Sequence, residues 1–176
     1  MGQIFFPELN TERLCLRRLK EADWETIMFL RSDKEVNEFV KRPSAKSKEN
    51  ALAFIQKINK GIDNRNLYYW AITEKNVGGM IGSICLWNLA DNQKSAEVGY
   101  DLNPLFQKKG IMSESLKVIL EFGFKNLTLD FIIACTHRDN SKSKKLLERN
   151  KFKLARFKTD EQNKDNLVYE IKNACS

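Results

Sequence analysis

The sequence predicts an α+β domain on a mixed, mostly antiparallel sheet flanked by helices. Three observations lead there. Strand-like runs rich in aromatic and β-branched residues follow one another through the middle of the chain. Stretches of helical periodicity bracket them. A strand–helix–strand–helix section then closes the order, which reads βααβββαβαββ. With 176 residues, 42% hydrophobic and 30% charged, the chain has the size and composition of one folded domain, residues 1–176, with a core of its own.

Residues 12–19 (ERLCLRRL) place Leu14, Leu16 and Leu19 as a half-buried strand does. Residues 20–31 space Trp24, Ile27, Met28 and Arg31 as one helix face, and residues 45–60 bring Leu52, Phe54 or Ile55, and Ile58 inward. Residues 66–73 and 80–87 are strand runs joined by Asn76-Val77-Gly78-Gly79, a hairpin signature. Residues 95–102 alternate Ala96, Val98, Tyr100 and Leu102 with Glu97, Gly99 and Asp101. Pro104 stops that strand. An amphipathic helix runs from Ile111 to about Lys125. Residues 129–136 suit a strand buried on both faces, and residues 140–150 a short helix with Leu146 and Leu147 inward. Residues 152–157 and 167–171 complete the order as two strands.

Composition excludes several classes. No apolar run approaches the roughly 18 residues of a membrane span, so no membrane partner is expected. Cys15, Cys85, Cys135 and Cys175 lie far apart and His137 is the single histidine, so zinc-site spacing is absent and no metal is expected. Without a secretory pattern at the N-terminus, a reduced cytoplasmic protein is the simplest reading, with the cysteines as small buried hydrophobes. The net charge of +7 invites nucleic acid, yet the basic residues form no block of five or six and no nucleic-acid motif appears.

One segment carries chemistry. After Pro104 comes Gln107-Lys108-Lys109-Gly110, then a helix beginning Ile111-Met112-Ser113. A helix entered this way points free N–H groups and its positive dipole end at whatever lies before it, which suits a phosphate or pyrophosphate. Gly110 permits close approach, and Lys108 and Lys109 add charge. It is neither a P-loop nor a dinucleotide fingerprint.

Several motifs in order resemble the GNAT superfamily, the Gcn5-related N-acetyltransferases, and within it the branch of the ribosomal-protein N-terminal acetyltransferases. They are Thr11-Glu12-Arg13-Leu14 with Leu16, Arg17 and Leu19, Ile81-Gly82-Ser83-Ile84, Ala96-Glu97-Val98-Gly99-Tyr100 with Leu102 and Pro104, Lys109-Gly110 with Ser113-Glu114, and Asn140 with Ser143, Leu146-Leu147-Glu148-Arg149 and Phe152. Three positions depart from the pattern. Met112 stands where the superfamily has a small residue, and Lys108 where the branch has Gly. Asn150-Lys151 replaces a Gly before Phe152, with Asn expected to take the left-handed helix-ending conformation.

The resemblance implies a GNAT fold whose sheet splays between its fourth and fifth strands, the splay beginning near residues 99–102. It implies acetyl-CoA as co-substrate. The edge of Tyr100, Asp101 and Leu102 would pair with pantetheine. Gln107, Lys108, Lys109, Gly110, Ile111, Met112 and Ser113 would hold the pyrophosphate. Asn140 would reach pantetheine or cap its helix, and Lys142, Lys144 and Lys145 would meet the 3′-phosphate. The activity implied is acetyl transfer to a primary amine, either a protein N-terminus such as a ribosomal protein's or a small molecule's.

Glu97 is the first candidate for general base and Glu161 the second, with a structural ion pair the other role open to Glu97. Many superfamily members place an acidic tyrosine seven residues after the motif Asn, where this chain has Leu147, so Ser143 is the candidate donor to sulfur. His137 reads as a bystander. A basic nucleic-acid module and a non-catalytic acyl-CoA sensor are the alternatives, and a monomer or homodimer both fit.

Overall fold

The computed structural model describes residues 6–90, 92 and 94–174, so Cys175 lies outside the described residues. The chain folds as β1 (Leu9–Asn10), β2 (Leu14–Arg17), α1 (Trp24–Ser32), α2 (Lys48–Asp63), β3 (Tyr68–Glu74), β4 (Met80–Trp87), β5 (Ser95–Leu102), α3 (Ile111–Lys125), β6 (Phe131–His137), α4 (Ser141–Arg149), β7 (Lys153–Leu154) and β8 (Asn166–Lys172). One eight-stranded open sheet runs in the order β1-β2-β3-β4-β5-β6-β8-β7. Every pairing is antiparallel except β5 with β6.

Strand alternation divides the core between the two faces. In β3, Trp70 and Ile72 enter one cluster with Leu116, Ile119 and Phe122 of α3. Tyr69 and Ala71 enter the other with Ile27 and Leu30 of α1 and Ile55, Ile58 and Ile62 of α2. Trp70 is fully buried, its indole N–H donates to the Pro7 carbonyl at 2.8 Å, and its ring packs against Phe6, Tyr68 and Phe122.

The elements differ from expectation mainly at their ends. The two-residue β1 has too short a run to leave a periodic signal. The helix expected from residue 20 begins at Trp24, after a 3₁₀ turn over Glu21–Asp23. That turn is fixed by Asp23, whose carboxylate accepts the Lys20 N–H at 2.8 Å and both Arg17 guanidinium ends at 2.8 Å. The strand expected over residues 152–157 shrinks to Lys153–Leu154, because the chain turns where the Lys158 N–H bonds the Ala155 carbonyl.

The C-terminal end of α4 corrects a second expectation. Asn150 keeps a right-handed backbone, and it is Lys151 that adopts φ +68°. Phe152 N–H then bonds the Leu147 carbonyl and Lys151 N–H the Glu148 carbonyl, both at 3.0 Å. This is a Schellman motif with a lysine where glycine is favoured. Left-handed backbone costs an L-residue roughly 1–2 kcal/mol, offset in part by glycine's extra chain entropy. Lys151→Gly is therefore expected to stabilise the fold by up to about 1 kcal/mol, read as a higher urea midpoint with unchanged slope.

The feature that positions the site is where β5 leaves β6. Their parallel ladder pairs Ser95 with Phe131, Ala96 with Ile132 and Glu97 with Ile133, then stops. β5 stays on β4 as far as Leu102, and β6 stays on β8 as far as His137. The splay thus begins at Val98, earlier than the motif alone suggested, because β8 holds the whole length of β6 and carries it away.

Candidate active site

A cleft of about 1730 Å³ fills this opening. Its walls come from the segment after α1, the entry to α3, the start of α4 and the loop before β8. Glu97 stands at the closed vertex, beside the last residue of the ladder.

The α3 end of the cleft suits an anion. Gly110 caps the helix at φ +78°. Lys108 sits at φ +62°, so the lysine that replaces the branch's glycine takes a glycine-like backbone. The N–H groups of Ile111, Met112 and Ser113 have no acceptor among the described residues, as expected of a first helical turn. Met112 is largely buried in the core cluster and also lines the cleft at the helix entry. The Ser113 hydroxyl is tied to the Asn150 amide at 3.0–3.1 Å, which docks α3 against the end of α4.

Arg13 braces the loop from behind, bonding the Lys109 carbonyl at 3.1 Å and Glu114 at 2.6 Å. The Lys109 ammonium itself lies over the Phe106 ring, 5.2 Å from its centre, and does not line the cleft. Gln107, Lys142, Lys145 and Arg149 do line it, whereas the Lys144 ammonium turns to the Arg138 carbonyl at 2.6 Å.

On α4, the Asn140 side chain accepts the Ser143 N–H at 3.0 Å, so the cap expected for it is present. The Ser143 hydroxyl lies 2.8 Å from the Tyr100 hydroxyl of β5. Burial pushes the Tyr100 phenol up to about 12, against a smaller opposing pull from Ser143. The phenol therefore stays protonated at neutral pH. Leu147 is fully buried, which leaves Tyr100 as the phenol beside Ser143.

At the vertex three groups converge. Burial raises Glu97, and the nearby Asp160 charge raises it further while the Asn88 side chain opposes. Cys135, on β6, is pushed up to about 12, chiefly by burial and then by Glu97 and Asp160. It stays a thiol at neutral pH, which disqualifies it as a nucleophile. Sequence reading passed over Asp160 in favour of Glu161. Glu161 is exposed at the cleft rim, while Asp160 is half-buried and fixed by the Gln162 N–H at 2.8 Å and the Asn166 amide at 2.7 Å. The signal available was an Asp followed closely by asparagines, a local turn pattern.

The opposite side of the vertex is also polar. Tyr69 donates to Ser83 at 2.7 Å, Ser83 to Asp101 at 2.5 Å, and Arg42 pairs with Asp101 at 2.8 Å. Asp101 is thus engaged by its side chain as well as its strand edge. His137 stacks on Phe39 with ring centres 5.4 Å apart, and its Nδ1 accepts the Asp139 N–H at 3.2 Å. No cluster that could hold a metal occurs among the described residues, and no helix is long and apolar enough to cross a membrane.

The chain and its fold match known proteins. The acetyltransferase (GNAT) domain family matches residues 13–153. An uncharacterized N-acetyltransferase, YoaA of Bacillus subtilis, is 32% identical over 142 residues, covering 81% of this chain and 80% of its own. The ribosomal-protein-S5-alanine acetyltransferase of Vibrio fischeri superposes with TM-score 0.80 at 21% identity, covering 96% of this chain and 97% of its own. A ribosomal L7/L12 α-N-protein acetyltransferase in complex with coenzyme A superposes with TM-score 0.80 at 20% identity, over 94% and 97% of the two chains.

Proposed function

This chain belongs to the GNAT acetyltransferases, and on that premise we propose that it moves the acetyl group of acetyl-CoA to a primary amine by direct attack within a ternary complex. The acceptor is a protein N-terminal α-amine, as in the ribosomal relatives, or a small-molecule amine. The single observation that carries the mechanism is the vertex of the splay. There Glu97 and Asp160 flank the point at which the β5 edge becomes free.

The residues present suit acetyl-CoA, whose thioester supplies the activated acyl group. The free N–H groups at the start of α3 take the pyrophosphate. The unpaired edge of β5 after Glu97 takes the amide-bearing pantetheine as an added strand. Lys145 and Arg149 meet the 3′-phosphate, a role that adds Arg149 to the residues expected from sequence.

Glu97, with Asp160 beside it, draws a proton from the incoming ammonium and leaves the neutral amine. A free N–H of β5 near Tyr100 or Leu102 stabilises the oxyanion. The Tyr100–Ser143 pair donates a hydrogen bond, and then a proton, to the departing sulfur. Cys135 remains a thiol, which favours direct attack over an acyl-cysteine intermediate.

Calorimetry with acetyl-CoA and release of CoA over an amine panel test the proposal, and absence of both sinks it. Tyr100→Phe is expected to lower kcat about 10–100-fold, at or below the usual range for an acid because CoA thiolate leaves tolerably well. The acetyl-CoA Kd should stay unchanged. Equal kcat for Tyr100→Phe and wild type would remove the phenol from the mechanism.

A further inference from the structure

The acceptor half of the cleft holds a half-buried guanidinium with no carboxylate in direct contact among the described residues. Arg31, at the end of α1, lines the cleft with its guanidinium carbon 4.0 Å from the centre of the Phe54 ring. Its one hydrogen bond is to the Pro43 carbonyl, at 2.9 Å. No carboxylate lies within ion-pair distance of it among the described residues. Its neighbour Arg42 differs in every respect. Arg42 is saturated by Asp101 at 2.8 Å, the Asn37 side chain at 2.8 Å and the Leu30 carbonyl at 2.8 Å. Two of the acidic groups nearby are committed, Asp101 to Arg42 and Ser83, and Glu35 to Lys142 at 3.5 Å, and the third, Glu38, is solvent-exposed and makes no ion pair with Arg31.

A half-buried guanidinium with free donors is costly unless something anionic completes it. Burial and then the Arg42 charge lower the Arg31 pKa from its usual value, against a smaller opposing pull from Tyr69 and Asp101, and the guanidinium remains charged at neutral pH. The surfaces around it are apolar and aromatic: Val36, Phe39, Ile58 and Tyr69 line the same part of the cleft. On β5, Glu97, Gly99 and Asp101 share one face, so Glu97 stands at one end of a strip about 14 Å long and Asp101, already neutralised by Arg42, at the other beside Arg31. The middle is bare at Gly99, where a β-carbon would come within 3.2 Å of the Cys85 sulfur. The strip therefore has a proton-accepting end, an apolar middle and an anion-seeking end.

We propose that Arg31 is an acceptor-binding, specificity-determining residue, and that the preferred acceptor is a small amine with an apolar body and a carboxylate. The amine would lie toward Glu97 and the carboxylate would complete the guanidinium by charge-assisted hydrogen bonds. This rests on the acetyltransferase reading above and narrows its substrate class.

Rates of CoA release over matched amines with the two charged groups at opposite ends of an apolar chain test it: ε-aminocaproate against hexylamine, and ω-aminooctanoate against octylamine. The wild type should favour the carboxylated member of a pair at least 50-fold in kcat/KM. Arg31→Gln should abolish most of that preference while changing the uncharged member less than three-fold. Arg31→Lys should restore part of it, and the acetyl-CoA Kd by calorimetry should stay unchanged throughout. Equal turnover of both members by wild type, an equal loss on both in Arg31→Gln, or no turnover of any pair while acetyl-CoA binds would overturn the proposal. Failure to bind acetyl-CoA would instead bring down the acetyltransferase reading beneath it.

Discussion

Glu97→Gln is expected to lower kcat/KM for amine acetylation by about 10²–10³, within the usual contribution of a positioned general base. The substitution keeps size and hydrogen-bonding capacity and removes only basicity. Acetyl-CoA affinity should hold, because its phosphate cradle lies at the far end of the cleft. The wild-type kcat/KM should rise with pH along a limb set above the ordinary carboxylate value, since burial raises Glu97. That limb should vanish in Glu97→Gln.

Stability should move the other way. The folded Glu97 pKa lies above its unfolded value, so the folded state binds more protons in the window between them. Stability is then lost as pH rises through that window, and at neutral pH the charged carboxylate is a burden. Glu97→Gln should raise the denaturant midpoint at pH 7, with the gain fading as pH falls through that window and gone below about pH 4.5, the ordinary carboxylate value. Asp160→Asn provides the internal comparison. If it alone abolishes activity while Glu97→Gln is silent, Asp160 is the base and Glu97 a structural neighbour.

Trp70→Ala is expected to cost about 3–5 kcal/mol of folding free energy, a large share of the roughly 5–15 kcal/mol that holds a domain together. Trp70 joins the middle of the sheet to α3 through Phe122 and anchors the chain at Pro7 by its indole N–H. Truncation opens a cavity among side chains that cannot collapse into it, and leaves the Pro7 carbonyl without its partner. The urea midpoint should fall with little change in slope. Trp70 does not line the cleft, so the acetyl-CoA Kd of the folded fraction should be near wild type. A stability loss below about 1 kcal/mol would show that this cluster relaxes far more readily than cores of its kind do.

Much of this architecture was legible in the residues. Alternation at Ala96, Val98, Tyr100 and Leu102 identified β5, and the Gln107–Gly110 loop before an amphipathic run identified the anion end. The period of a strand says which side chains share a face, and it put Ala96 and Val98 together on the core side of β5. What escaped reading depends on the third dimension. The end of the β5–β6 ladder is set by β8, residues away in sequence, so the splay could not be fixed to Val98 from local pattern. Asp160 and Glu161 are adjacent acids of nearly equal sequence character, and only the turn made with Gln162, Asn163 and Asn166 decides which one is half-buried near Glu97 and which stays at the rim. Likewise Asn150 has the better left-handed propensity, yet the phase of α4 assigns that backbone to Lys151. Tyr100 and Ser143 are forty-odd positions apart, and nothing in either neighbourhood announces their hydroxyl contact.

The unequal lengths of the strands also bear on how the protein stays dispersed. An unpaired strand edge is a template on which another chain can add, and its hazard grows with its length and accessibility. At the two outer rims this sheet ends in β1 and β7, each only two residues long. The long unpaired edge, after Glu97, is internal, recessed between α3 and α4 and overhung by the loop before β8. A slender chain with amides along it can enter that recess, whereas a folded neighbour's strand with its own side chains and sheet cannot.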